Sequence, residues 1–178
     1  MTVKVGINGF GRIGRLALRE SWGAAGFEVV HINEIAGDAK SAAHLLKFDS
    51  VHGTWDADIS ANSDQITVDD KIIGYSQCAT IETTPWAEAK VDLIVECTGT
   101  LKTEALLDPF FAQGVKKVLV SAPIKGLPEE RVLNVVMGVN DAAISPVAAA
   151  GITLTYPEHN GDFNNKQNGI EMQKMNGH

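Results

Sequence analysis

The sequence predicts an α/β fold: a doubly wound, mostly parallel sheet carrying one inserted β-hairpin. Three observations predict it. Short apolar strand-like runs alternate with helix-compatible stretches, a pattern that implies right-handed crossovers between parallel strands. Residues 91–99 (VDLIVECTG) form a nearly continuous apolar run, as expected of a strand buried on both faces. The first strand-like run, residues 3–7, opens directly onto Gly9, Gly11 and Gly14, spaced GxGxxG ahead of a helical stretch.

Taken in chain order, the first strand (3–7) leads into a helix over 12–22, and a second apolar strand spans 27–32. Asp38 is a plausible N-cap for a helix whose buried face carries Ala43, Leu45, Leu46 and Phe48. Residues 51–63 are polar, with no sustained apolar run. Residues 65–73 (QITVDDKII) place an Asp69-Asp70-Lys71 turn between two β-rich pieces and read as a hairpin inserted between parallel strands. Thr84 and Pro85 start a short helix through Trp86 and Ala89, since proline favours the first helical turn. After the strand at 91–99, a helix starts at Thr103 and Glu104, presents Leu106, Leu107, Phe110 and Phe111, and ends at Gly114. Strands follow at 117–121 and 134–139. Residues 142–150 form a small-residue connector. From 151 to 178 the Asn- and Gly-rich composition reads as loop or disorder, apart from an apolar run at 152–156 and a weak helix near 170–175. The expected organisation is one domain over 1–150 and a short tail over 151–178.

Composition narrows the functional classes. A formal charge of −7 argues against general affinity for nucleic acid or anionic membrane. No run of about 20 apolar residues is available for a membrane span, and residues 1–30 lack the features of a signal peptide, so the expected location is the cytoplasm. Cys78 and Cys97 show no paired spacing, which points away from a disulfide framework or a zinc site. Asp69, Asp70 and Lys71 read as a turn, not a metal site.

The glycine run has a specific chemistry. Gly9 permits the tight turn out of the strand, Gly11 lets backbone approach a pyrophosphate, and Gly14 lets the helix pack close to the sheet. The first free N–H groups of that helix, near Arg12 and Ile13, face the phosphates, and the helix dipole favours them. Glu34 stands 20 residues past Gly14, at the end of the second strand. There it would accept hydrogen bonds from ribose hydroxyls and repel a 2′-phosphate, favouring NAD over NADP. The pattern is that of a Rossmann-type dinucleotide site.

Six segments then occur in order: GINGFGRIGR, HINE (31–34), FDSVHG (48–53), ECTG (96–99), VSAP (120–123) and VVMGVND (135–141). Together they closely resemble the NAD-binding domain of glyceraldehyde-3-phosphate dehydrogenase, over roughly residues 1–141. The resemblance implies a cofactor held by the backbone at Arg12 and Ile13, by Asn8, Phe10 and Gly11 around the phosphates, and by Glu34 at the ribose. It also implies Thr98, Gly99 and Ser121 near the adenosine and nicotinamide side of the cleft. Family members usually carry Asp at the position of Glu34. They commonly carry an Arg-Asp-Pro stretch where residues 78–82 here contain no Arg. The wording HINEIAGDA and HLLKFDSVHGTW is similar to the branch found with arsenate-efflux systems.

The family's Ser-Cys-Thr-Thr-Asn segment, whose thiolate attacks the aldehyde, has no counterpart in the 178 residues, nor does the catalytic domain that follows it. No catalytic residue is therefore assigned. Cys97 reads as a small core side chain, and Cys78 has no evident cationic partner. His31, at a strand end, reads as structural, His44 falls on a helix, and His52 lies in a polar turn that could approach the cleft; none is assigned as a catalytic base. The expectation is a chain that binds NAD and does not turn over substrate alone, cut off before the catalytic half. A rival is a non-catalytic interaction protein that has lost cofactor binding and pairs with a full-length family member. Self-association through apolar surfaces that the catalytic half would cover is a separate expectation. A frameshifted or truncated gene would account for the tail.

Overall fold

The structure, a computed structural model, describes residues 2–122, 124, 133–135 and 152–154. Strand β1 (Val3–Asn8) is followed by α1 (Arg12–Ser21), β2 (Phe27–Asn33) and α2 (Ala39–Lys47). A small antiparallel pair, β3 (Phe48–Asp49) with β4 (Gly53–Thr54), precedes β5 (Ile59–Ala61), β6 (Gln65–Val68) and β7 (Lys71–Ser76). Then come β8 (Leu93–Glu96), α3 (Glu104–Ala112), β9 (Lys117–Val120), β10 (Leu133–Val135) and β11 (Ile152–Leu154).

The main sheet runs β5-β6-β7-β2-β1-β8-β9. Its pairs β7-β2, β2-β1, β1-β8 and β8-β9 are parallel, while β5-β6 and β6-β7 are antiparallel. The chain thus starts in the middle of the sheet and winds outward in both directions. This reversal of strand order beside β1 opens a crevice at the strand carboxyl ends, where open α/β sheets bind ligands.

Each face of the sheet has its own core. Leu18 of α1 and Leu46 of α2 pack with Ile7, Phe10, Ile32, Ile66, Val68 and Ile73. Leu107 and Phe110 of α3 pack with Trp86, Val91, Ile94, Val115 and Val118. Side chains alternate across a strand, so adjacent β1 residues serve opposite cores. Ile7 enters the first, and Gly6 leaves room for the second: a Cβ there would stand 2.7 Å from the Trp86 ring. Asp38 caps α2 by accepting from the Ser41 N–H at 2.8 Å, as its position in the sequence suggests.

Five expectations are modified. The buried face of α2 is Ala39, Ala42, Ala43 and Leu46, while Leu45, one residue off that stripe, and Phe48, already beyond the last helical turn, are exposed. The hairpin is inserted in sequence only: β6 and β7 extend one edge of the sheet, and β7 itself pairs parallel with β2. Within the polar stretch 51–63, β5 forms because β6 supplies its hydrogen-bond partners, a non-local effect that three residues do not announce. The helix expected from Pro85 to Ala89 is only a turn, closed by the Ala89 N–H to the Pro85 carbonyl at 3.0 Å and ended by Lys90 at φ 55°. Trp86 is wholly buried there, between the His31 ring at 5.3 Å and Phe110 at 6.0 Å, and the chain must return at once into β8. Finally, β11 comes from the segment expected to be a tail and pairs parallel with β10, Leu133 opposite Ile152. Of the strand expected at 134–139, residues 136–139 lie outside the described residues, as does the helix expected near 170–175.

Trp86 is the largest side chain in its core, so Trp86→Ala leaves a cavity beneath Gly6. The expected cost is ~3–5 kcal/mol of unfolding free energy, read as a lowered urea midpoint.

Candidate dinucleotide site

Gly9 turns the chain out of β1 at φ 88°, a left-handed conformation suited to glycine. It also lies against β8's exit, since a Cβ on it would stand 2.7 Å from the Thr98 nitrogen. A Cβ on Gly14 would run into the Gly9 carbonyl oxygen, so Gly14 is what allows α1 to begin this close to the strand. Above Gly11 the space is open: a Cβ there would meet nothing within 4 Å beyond its own chain neighbours.

Gly11 is the N-cap of α1 and offers no side-chain cap, and the first turn holds no acidic residue. The contrast with α2 and its Asp38 is direct. The leading N–H groups of α1, at Arg12 and Ile13, are therefore left for an external acceptor. Arg12 is exposed and Ile13 is 51% exposed, so access is free. Phe10 contributes backbone only: its ring is buried in the first core, and its carbonyl is braced by Arg15 Nη1 at 2.9 Å.

Glu34 folds back over this turn. Its Oε2 accepts from the Phe10 N–H at 2.6 Å and its Oε1 from the Ala36 N–H at 2.8 Å. A carboxylate offers about four lone-pair sites, so these two bonds orient Glu34 and leave capacity for ribose hydroxyls. Its extra methylene relative to Asp is accommodated here by curling toward the glycine turn.

Beneath the turn runs a feature the sequence does not reveal. Ser76, Asn33, Asn8 and Glu96 end the adjacent strands β7, β2, β1 and β8, in register as Ser76↔Asn33, Asn33↔Asn8 and Asn8↔Glu96. Their side chains form a row. Ser76 Oγ donates to Asn33 Oδ1 at 2.9 Å, Asn33 Nδ2 donates to Asn8 Oδ1 at 3.0 Å, and Asn8 Nδ2 donates to Glu96 Oε2 at 2.6 Å. Cys78 fixes the orientation of the Asn33 amide, its N–H donating to Oδ1 at 2.9 Å and its carbonyl accepting from Nδ2 at 3.0 Å. Because Ser76 spends its single proton on Asn33, its oxygen must accept from His31 Nε2, 2.9 Å away. The row has one direction, from His31 to the Glu96 carboxylate.

The same four residues hold the site through their carbonyls. Asn33 O accepts from the Gly9 N–H at 2.9 Å, Ser76 O from Glu34 at 3.0 Å, Asn8 O from Cys97 at 2.7 Å and Glu96 O from Ser121 at 2.9 Å. Thr98 follows Glu96, and both its N–H (2.7 Å) and its hydroxyl donate to Glu96 Oε1. Burial raises the Glu96 carboxyl above its ordinary value, and the bonds from Thr98 and Asn8 pull it back toward ionisation. Gly99 continues the exit at φ 72°. The residues singled out from the sequence thus gather at one end of the sheet: Asn8 to Gly14 at the exit of β1, Glu34 at that of β2, Thr98 and Gly99 after β8, Ser121 after β9. Asn8 lies beneath the cleft, with its side-chain amide engaged by Asn33 and Glu96.

Residues 3–104 match a family model described as the NAD binding domain of glyceraldehyde 3-phosphate dehydrogenase, more than half of the chain. The chain belongs to the glyceraldehyde-3-phosphate dehydrogenase family. Among its relatives, glyceraldehyde-3-phosphate dehydrogenase 3 of Nostoc sp. is 51% identical over 146 residues, covering 82% of this chain and 42% of that protein. The glyceraldehyde-3-phosphate dehydrogenase of Geobacillus stearothermophilus is 43% identical over 148 residues, 83% of this chain and 43% of its own. The chain therefore spans about two fifths of the length of these relatives. The segment matched to the dehydrogenase cofactor domain contains the glycine turn, Glu34, Thr98, Gly99 and the whole buried row. An uncapped α1, open space above Gly11 and spare acceptors on Glu34 suit the NAD for which this domain is described.

The remaining ionisable groups have other roles. Burial pushes the Cys97 thiol up to about 11, and a hydrogen bond with Ser121 offsets this only in part, so Cys97 is a neutral thiol near pH 7. The Cys78 thiol rests on the Thr83 carbonyl at 3.3 Å. Among the described residues no group of His, Cys, Asp or Glu could hold a metal ion, and no helix is long and apolar enough to cross a membrane.

Burial pushes His31 down from 6.5 to about 4. The unfolded chain then binds the proton more readily, so stability is complete above about 6.5 and is lost as pH falls toward 4. The urea midpoint should drop across this window. His31→Gln, which does not titrate and can still donate to Ser76, should flatten the drop, and an unaltered profile would contradict the assignment.

Proposed function

We propose that this chain holds NAD across the carboxyl ends of β1, β2, β8 and β9, as the cofactor-binding unit of a cytoplasmic glyceraldehyde-3-phosphate dehydrogenase-type oxidoreductase. The observation that carries the reading is the uncapped N-terminus of α1 set directly beside Glu34, which is itself tied to the Phe10 N–H. The Arg12 and Ile13 N–H groups receive the pyrophosphate, Gly11 allows its close approach, and Glu34 accepts from the adenosine ribose while repelling a 2′-phosphate. Thr98, Gly99 and Ser121 line the other side. When bound, NAD supplies the hydride acceptor for oxidation of an aldehyde, the phosphorylating step of glycolysis in this family.

The 178 residues do not perform that oxidation alone. The family's reaction needs a reactive thiolate, and the cysteines of this chain are Cys97, a half-buried neutral thiol, and Cys78, which leans on a carbonyl with no cation paired to it among the described residues. Isothermal titration should show saturable NAD binding and at least about tenfold weaker NADP binding, with Glu34→Gln narrowing the gap. Glyceraldehyde 3-phosphate with NAD should give no NADH absorbance. Turnover that disappears in Cys78→Ser would contradict the reading and indicate a divergent enzyme.

A second reading, self-association or pairing with a longer family member, is supported by exposed apolar side chains outside the cleft. Leu45 on α2, Phe48 and Val51 are between 46% and 69% exposed. Light scattering on the purified chain should show a species larger than a monomer that Val51→Asp reduces in size. A monomer at all concentrations would contradict this second reading.

A further inference from the structure

We propose that Glu96 is a positioning residue for the dinucleotide, its carboxylate setting the spacing between the two walls of the cleft before the ligand arrives. The inference rests on the NAD reading above. Glu96 is only 1% exposed, and among the described residues no lysine, arginine or histidine forms an ion pair with it. A buried carboxylate without a cation is costly for a fold, and an apolar side chain of similar size would be cheaper. What the carboxylate does instead is reach both walls at once.

Its two oxygens divide the task. Oε2 takes the Asn8 amide, at the base of the glycine turn, and Oε1 takes the N–H and hydroxyl of Thr98, at the start of the opposite turn. Thr98 Oγ1 passes the constraint on to the Thr100 hydroxyl at 2.8 Å and the Thr100 N–H at 3.2 Å. The walls touch where Gly9 meets Thr98, with 2.7 Å between a Gly9 Cβ position and the Thr98 nitrogen, so displacing Thr98 displaces Gly9. Glu96 itself does not reach the ligand. It acts through Asn8 and Thr98, as supporting groups orient the residues that touch a bound species.

The test compares the NAD dissociation constant with the urea midpoint in the full chain, at a temperature where circular dichroism shows each variant folded. Glu96→Gln turns an amide N–H toward the Asn8 amide, and Glu96→Asp keeps the carboxyl group but shortens its reach. Each should weaken NAD binding about tenfold, and either variant suffices if the other does not fold. In an Asn8→Ala background, Glu96→Gln should cost clearly less affinity, because one path is already cut. Trp22→Phe removes a 2.9 Å bond to Asp69 at the far end of α1, and should lower the urea midpoint while leaving the NAD constant unchanged. Absence of saturable NAD binding in the unmodified chain would overturn the cofactor reading itself. Wild-type binding together with an unchanged constant in folded Glu96→Gln or Glu96→Asp would overturn the positioning role alone.

Discussion

A hydrogen-bonded row of side chains can cross four neighbouring strands only if all four end at one level. Ser76, Asn33, Asn8 and Glu96 impose that condition on β7, β2, β1 and β8. Each member is polar and largely removed from water, and an unpaired member would cost about 1–3 kcal/mol. A shift of one strand by a residue would break the row and turn every side chain of that strand to the other face. The row therefore adds register specificity to the apolar packing on either side, which alone would tolerate more sliding.

The cleft inherits its shape from this level edge. Gly9, Glu34, Cys97 and Ser121 each donate a backbone N–H to a carbonyl of the row, so the first residue beyond four strands is hung from the strand beside it. The glycine turn then needs only local chemistry: a left-handed Gly9 to leave the strand, and a bare Gly14 to let α1 start close by. Glu34, tethered through both oxygens, is held ready rather than searching. A ligand that meets ordered donors and acceptors pays little to arrange them, which is the general route from preorganisation to affinity.

What the sequence can tell follows the range of each signal. The glycine spacing, the acid at the end of β2, the starts of α2 and α3 and the apolar strands all depend on neighbours within a few residues, and all are legible. The row is not. Asn8, Asn33, Ser76 and Glu96 are ordinary polar residues closing apolar runs, and which of them meet depends on the strand order β7-β2-β1-β8, a property of the whole sheet. A polar residue ending each of several apolar strands is the available signal. Trp86 makes the same point from the other side: the proline before it favours a helix, but burial of the indole between His31 and Phe110 allows only a turn. Glu96 belongs to a recognisable segment, while its burial and its bond to Asn8 follow only from the fold.

The row runs one way, from His31 to the Glu96 carboxyl group, and its polarity is fixed by the Cys78 backbone around Asn33. The tautomer of His31 reports that polarity directly. A long-range proton–nitrogen correlation spectrum at neutral pH should show the proton on Nε2, donated to Ser76, with Nδ1 bare. A proton on Nδ1 would mean that Ser76 donates to His31 and that Asn33 loses a donor, which would contradict the account.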